Sequence, residues 1–537
     1  MTEKRQILKS ASVITLITLV SRTCGYIRDQ RITLLLGTSV AADSFILAFR
    51  IPNLFRRLIG EGSLSASFIP VFARYLKTSD DRAIWRFANR IFWTVALVAG
   101  VLSALGVVFS KWLIHAFTMF GPGQAQWDFA VYLNRLIFPY LFFVALAAVA
   151  MAILNSFHEF AVPASTPILF NLSVILFSVG AVYKPIMKWA PVSYRNPAVA
   201  LAAGILLGGV LQFLIQVPAL VRRGMRFDFG ISFSDPGVRQ VGKLLVPGFV
   251  GIGIYQINFF VDTIFATASR MPSGSVTSLY VAERVMELVL GSYAIAISTV
   301  ILPMMSRQAA SRQLDEMKKT FTFSLRLVSF ITIPAAVGLV LLGTPIIQVL
   351  FEHGKFVAAS TALAARALLY YALGLPAFAA VKMVVPLFYS TQDTRTPVLV
   401  AGYALAINII LNVAFLLLFF RVFYNGSPAL ATSIAAYFNF FALLWIFRKR
   451  FGQLGFAAVL VSLARTAAAA VVMGLACVAF LRYANFSSYT HLLPRVGMLA
   501  AAILGATCLY VALAWLLRCE ELAELQSVLR RADRVAA

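Results

Sequence analysis

Ser21 to Arg31 reads SRTCGYIRDQR, and it lies between ASVITLITLV and ITLLLGTSV. Both flanks are apolar enough for a membrane span, so Arg22, Arg28, Asp29 and Arg31 fall near the middle of one. A charge at that depth costs at least about 2.5–3.5 kcal/mol on insertion scales, and such groups face a bundle interior or an aqueous cavity. Positions 22 and 29 are two helical turns apart, so Arg22 and Asp29 share a face, and Gly25 between them leaves room for close approach. A purely structural Arg22–Asp29 pair is one reading. It leaves Arg28 without a local carboxylate.

The next apolar stretch repeats the pattern. Asp43, Arg50 and Arg57 recur by sevens on one face, Arg56 is displaced from it, and Pro52 removes a backbone donor and predicts a kink. In VAERVMELVLG, Arg284 has Glu283 and Glu287 within a turn, so local pairing is the plain alternative to a binding role. The other basic residues inside apolar windows are Arg135, Arg366 and Lys382. Arg31, Arg57, Arg366 and Lys382 can snorkel to an interface or meet a loop carboxylate. Several guanidiniums converging in a membrane cavity suit an anion, because the planar fork matches phosphate and carboxylate oxygens. A carboxylate-led site would select a cation instead. The surplus of arginine therefore predicts an anionic, phosphate-bearing cargo.

The elements that must hold these residues are helices in a bilayer. Of 537 residues, 61% are hydrophobic and 12% charged, which excludes a soluble domain of this size. Apolar windows predict an all-α polytopic protein with about fourteen spans. Their limits are 10–36, 38–60, 88–118, 129–154, 162–183, 196–221, 244–268, 276–304, 322–350, 360–389, 396–421, 427–447, 457–482 and 492–517. Placing the N-terminus inside gathers most loop Lys and Arg on one side, which predicts an even number of spans with both termini cytoplasmic. The net charge of +25 then reflects loops facing anionic lipid, and no nucleic-acid partner is expected. The tail RCEELAELQSVLRRADRVAA reads as a short amphipathic cytoplasmic helix.

Several chemistries are excluded. GVRQVGKL matches GxxxxGK, but Leu244 stands where Ser or Thr is needed and no strand precedes it. FHEF lacks the second His of a zincin, and the four histidines are far apart. Cys24, Cys477, Cys508 and Cys519 make no CxxC. Nothing assembles a hydrolytic centre, so the chain reads as a transporter and not an enzyme. Its driving force would be an ion gradient, the membrane potential or the substrate gradient.

A weak repeat relates the two halves. PVFAR (Pro70 to Arg74) matches PMMSR (Pro303 to Arg307), and ASTPIL matches TRTPVL, both at an offset of about 230 residues. Six spans would produce that offset, and the same shift sets Asp29 against Asp262. The expected division is an N-terminal lobe, 1–225, a C-terminal lobe, 226–450, two added spans, 451–517, and the tail, 518–537.

SRTCGYIRD, ADSFILAFRIPNLFRRLIGEGSLSASFIPVF, AILNSFHEFAVPASTPILFNLS, LFEHGKF and FYSTQDTRTPV closely resemble the MurJ/MviN lipid II flippases of the MOP exporter superfamily. The resemblance runs from the first span to the last. It implies two six-helix lobes around a central cavity, with the two extra helices bordering a groove for a lipid tail. It also implies that Arg22, Arg28, Arg56 and Arg284 are the essential cavity arginines, with Asp29, Asp43 and Glu61 as acidic partners and Ser21 lining the cavity. Glu283 replaces an Asp found in some relatives, which keeps the charge. The implied cargo is lipid II, the undecaprenyl-pyrophosphate-linked disaccharide pentapeptide, flipped by alternating access in the bacterial inner membrane. A monomer is expected to suffice, within reach of the cell-wall synthesis machinery. Some relatives bind sodium, which makes Asp262, Asn258 and Asp393 a candidate Na+ site, against the alternative of interhelical hydrogen bonds. The rival functions are an exporter of another polyprenyl-linked glycan, a multidrug/cation antiporter of the same superfamily, and a scaffold without transport.

Overall fold

The computed structural model describes residues 3–60, 63–119, 125–181, 195–453, 455–484, 486 and 491–524. Among them every regular element is helical. The chain divides into two compact units, residues 1–269 with 353–356, and residues 270–352 with 357–537.

The first unit holds α1 (Glu3–Leu36), α2 (Val40–Gly60), α3 (Ser63–Thr78), α4 (Asp81–Val108), α5 (Ser110–Ala116) and α6 (Ala125–Ile137). It continues with α7 (Tyr140–Ser156), α8 (Ala161–Gly180), α9 (Pro197–Leu214), α10 (Val217–Arg222) and α11 (Pro236–Ala266). Local chemistry sets several starts. Asp80 accepts from the Ala83 N–H at the head of α4, Asn196 does so for Ala198 ahead of Pro197, and Asp235 does so for Gly237 and Val238 after Pro236. Windows that look continuous in sequence are broken: the fourth is α6 and α7, hinged at Pro139, and the sixth is α9 and α10.

Pro70 to Arg74, beyond the predicted window at 38–60, lie within a helix of their own, α3. Its Phe68 and Phe72 rings stack on each other and on Phe87 of α4, with centroids 4.9 and 5.9 Å apart for Phe68. The first compact unit includes α11. The reason is packing: α11 lies against α2 and α3, and Val238 and Val241 share a core with Phe68, Phe72 and Leu220.

The second unit holds α12 (Ser275–Ala310), α13 (Leu314–Phe351), α14 (Ala358–Ser390), α15 (Arg395–Leu417), α16 (Phe420–Phe423), α17 (Ser427–Phe451), α18 (Phe456–Tyr483) and α19 (Leu492–Leu516). The centre is α14, which packs on α12, α13 and α17 and buries Tyr371, Phe378 and Phe388. The two added helices are not loose: Ala469, Met473 and Tyr510 close over Phe330 of α13. The helix foreseen for the tail lies mostly outside the described residues, which end at Glu524.

Ten helices, or broken pairs of them, among the described residues are long and apolar enough to cross a membrane. The four remaining predicted windows fall on α1, α2, α11 and α12, which are helices of 34, 21, 31 and 36 residues. Those four carry most of the candidate site.

Candidate functional site

In α1 the structure reassigns the charges. Asp29 is buried, and its Oδ1 accepts from Arg28 Nη2 at 2.6 Å and Nε at 2.9 Å. Arg28, which spacing alone leaves without a carboxylate, therefore does hold one in Asp29. The third guanidinium nitrogen, Nη1, donates to Asn171 Oδ1 of α8 at 3.0 Å. The Asn171 amide in turn donates to the Ser21 carbonyl at 3.1 Å, and Phe170 lies under the guanidinium at 5.6 Å. Arg28 is thus fixed from three directions with only 12% of its side chain exposed. At Gly25 a Cβ would meet Asn171 Nδ2 at 3.5 Å, an ordinary contact, so this approach does not by itself require glycine. Arg22 is exposed on the same helix. Arg31, which sequence leaves to an interface, donates to Ser178 of α8 at 3.1 Å.

On α2, Asp43 is buried in the first turn. Arg50 donates to the Phe259 carbonyl and to Thr263 of α11 at 3.2 and 2.6 Å, so it fastens α2 to α11. Arg56 donates to Asn53 at 2.7 Å and borders a cavity of about 490 Å³. The other walls are mostly apolar, from Val144 and Met151 of α7 to Pro163 and Pro167 of α8. Within two turns, α8 therefore meets Arg56 at its start and Arg28 beyond. Glu61 lies outside the described residues.

The second unit carries its own guanidinium. Arg284 pairs with Glu287 at 2.8 Å and lies over the Tyr280 ring at 4.9 Å. Both groups keep about a quarter to a third of their side chains exposed, at 27% and 32%. Arg366 rests on Tyr424 at 5.1 Å, which accounts for it locally.

The cation candidates belong to different units. Asp262 is buried on α11 with Asn258 one turn away, and among the described residues the buried Asn258 Oδ1 has no hydrogen-bond partner. Asp393 belongs to the second unit, between α14 and α15, where it accepts from the Thr396 N–H, the Thr396 hydroxyl and Arg450. Burial opposes that charge, but the bonds from Thr396 and Arg450 outweigh it and hold the carboxyl below its ordinary range. Among the described residues no three His, Cys, Asp or Glu side chains cluster as metal ligands.

Sequence reasoning missed Asn171. The signal was an amide inside an apolar span, which needs a partner in lipid. It also missed Arg50–Thr263, because the partners are far apart in the chain.

A family model described as the lipid II flippase MurJ matches residues 32–514. The chain belongs to that family. A probable lipid II flippase MurJ of Vibrio cholerae serotype O1 is 34% identical over 83% of this chain and 83% of its own length. The lipid II flippase MurJ of Burkholderia cenocepacia is 30% identical over 93% of this chain and 95% of its own. Among solved structures, a lipid II flippase MurJ in an inward closed conformation superposes with a TM-score of 0.73. It covers 93% of this chain and 98% of that one at 23% identity. An inward-facing multidrug MATE transporter of the MOP superfamily gives 0.69 at 14% identity, over 83% of this chain and 98% of that one. These structures speak to fold alone. Members of this family are multi-pass helical transporters, and this chain is one of them.

Proposed function

We propose that this chain carries lipid II from the cytoplasmic to the outer leaflet of the bacterial inner membrane, with both termini cytoplasmic. Arg28 supports the reading above any other observation. It is a guanidinium only 12% exposed in a membrane helix, held by Asp29, Asn171 and Phe170. Its cost in lipid makes sense if it serves an anion. Asp29 keeps the group in place without cargo, and pyrophosphate oxygens compete for it when cargo arrives. Arg22 offers an exposed donor two turns earlier on α1. Arg56 takes the sugar or times access from its cavity, and Asp43 supports α2. Ser21 is positioned by Asn171, and Glu61 follows the arginine pair as a further acidic partner. Arg284 supplies the same chemistry from the second unit.

Transport then follows alternating access: the arginines face the cytoplasm, take the headgroup and later face outward, while the polyprenyl tail stays in lipid. The membrane potential favours return of an empty, positively charged site. Asp262 with Asn258 is the candidate for a coupling Na+, and a cation response unchanged in Asp262→Ala would sink that role. A single copy suffices on this reading.

The decisive test is complementation of a strain depleted of its lipid II flippase. Wild type should restore growth, while Arg28→Ala and Arg22→Ala, at equal membrane abundance, should not. Full rescue by both variants would defeat the binding role. Rescue by wild type with preference for another polyprenyl-linked glycan in vesicles would favour the related exporter.

A further inference from the structure

We propose that a basic pocket at one end of the first unit holds the phosphate of an anionic membrane lipid, apart from the residues assigned to cargo. The pocket is about 530 Å³ and lies between the first turns of α4 and the connection from α10 to α11. The candidate spans Asp81–Val108 and Pro197–Arg222 begin and end there, which puts it at the height where headgroups lie.

Its charge comes from helical spacing. Arg82, Arg86 and Arg90 stand four residues apart along α4, so they form one stripe. Arg90 is taken by Asp235 at 2.5 Å and closes the inner end. Arg82, Arg86 and Arg226 are exposed and, among the described residues, have no ion-pair partner. Asp81 and Asp228 line the same space, leaving positive charge in excess. That balance suits an anionic phosphodiester with hydroxyls to offer the two carboxylates, as in a phosphoglycerol headgroup.

The wall is built. Buried Asn89 donates to the Arg226 and Trp85 carbonyls at 2.6 and 3.0 Å, which ties the connection to α4. Gly224, at φ +102°, lets the connection turn against the Trp85 indole, where a Cβ would meet Nε1 at 3.3 Å. The same connection presents Phe229, 75% exposed, and Phe233, 56% exposed. Rings this exposed beside a basic pocket with room for a whole headgroup fit an interface with acyl chains, and a free anion would leave them without a partner.

The test uses full-length protein in detergent, titrated with phosphatidylglycerol, phosphatidylcholine or inorganic phosphate and read by native mass spectrometry. Wild type should retain phosphatidylglycerol in preference to phosphatidylcholine, and inorganic phosphate should not displace it. The variant R82Q/R86Q/R226Q should lose that preference by about tenfold or more. R448Q/K449Q, which removes two charges at the end of α17, should keep it. Melting of each lipid-free protein shows whether the triple variant is folded, and R86Q alone serves if it is not. The proposal is overturned by equal retention of both lipids in wild type, by unchanged preference in the variants, or by equal loss in the α17 control. Displacement by millimolar phosphate would make the site one for free anion, which also overturns it.

Discussion

Arg28 shows how a single guanidinium is made affordable in lipid. Its nitrogens go to Asp29 and Asn171, and its face goes to Phe170. Lysine would keep the charge but lose the fork, since one ammonium cannot span both partners and a phosphate. Arg28→Lys should therefore cut lipid II translocation in proteoliposomes roughly tenfold or more while the melting temperature barely moves. Wild-type rates in that variant would show that charge alone is needed. Asn171→Leu removes the acceptor of Nη1 and the donor to Ser21, and should cost about 1–3 kcal/mol in thermal stability. The sequence exposed the arginines because charge in an apolar run is conspicuous. It left Arg28 without a carboxylate because spacing tracks Cβ directions, while a long guanidinium can fold back onto its own neighbour, Asp29. Asn171 was hidden because its partners lie 143 and 150 residues away.

At the scale of elements, the same turn is built twice. After α7, His158 adopts φ +59°, and the Glu159 N–H returns to the Leu154 carbonyl at 3.0 Å. After α14, Gln392 adopts φ +63°, and the Asp393 N–H returns to the Phe388 carbonyl at 3.0 Å. Both are left-handed helix ends, and each acid then meets an arginine near the close of a later helix: Glu159 with Arg223, Asp393 with Arg450. The shared offset of about 230 residues is the one that sequence showed in ASTPIL and TRTPVL. What the letters could not show is the motif itself, since His and Gln do not advertise positive φ. Because the folded carboxyl of Asp393 lies below its ordinary value of 3.8, its contribution is complete above that value and lost as pH falls through the folded value. Asp393→Asn should lower stability by about 1–2 kcal/mol near neutrality. The gap from wild type should shrink in strong acid. Melting curves at both conditions check it, and a gap indifferent to acid would exclude the ion pair as its source. A second close approach joins the α1 end to the segment before α14, where the Lys355 N–H donates to the Leu34 carbonyl at 2.9 Å. Gly354, at φ +61°, would set a Cβ 2.7 Å from that carbonyl, so Gly354→Ala should destabilise the protein by more than 1 kcal/mol, roughly the cost of a left-handed L-residue plus the clash.

For the molecule as a whole, composition was enough to read a helical membrane protein, and apolar windows placed most helices. Breaks at Pro139 and the extra helix α3 escaped because hydropathy does not register chain direction. The packing of α11 on α2 and α3 was not legible either, because those contacts join residues far apart in the chain. The last two helices read as an addition, and the structure shows what fastens them. Arg326 of α13 donates to Glu521 at 2.6 Å and to Glu520 at 2.7 Å, both just beyond α19, and Ser462 of α18 also donates to Glu521 at 2.7 Å. The two acids are unequal. Glu521 is 1% exposed and Glu520 is 68% exposed at the side chain. Burial works against the Glu521 charge, yet Ser462, its own backbone N–H and Arg326 hold the carboxyl below its ordinary range. Losing Glu521 leaves the largely buried Arg326 with only the exposed Glu520 and should cost more than about 1 kcal/mol, whereas an exposed pair is worth under about 1 kcal/mol. Glu521→Ala should therefore lower the melting temperature clearly and open the α18–α19 region to protease, while Glu520→Ala should do neither. Equal effects from the two substitutions would mean that the terminal helices are held by their apolar contact with Phe330 and Met473, and that the charges are incidental.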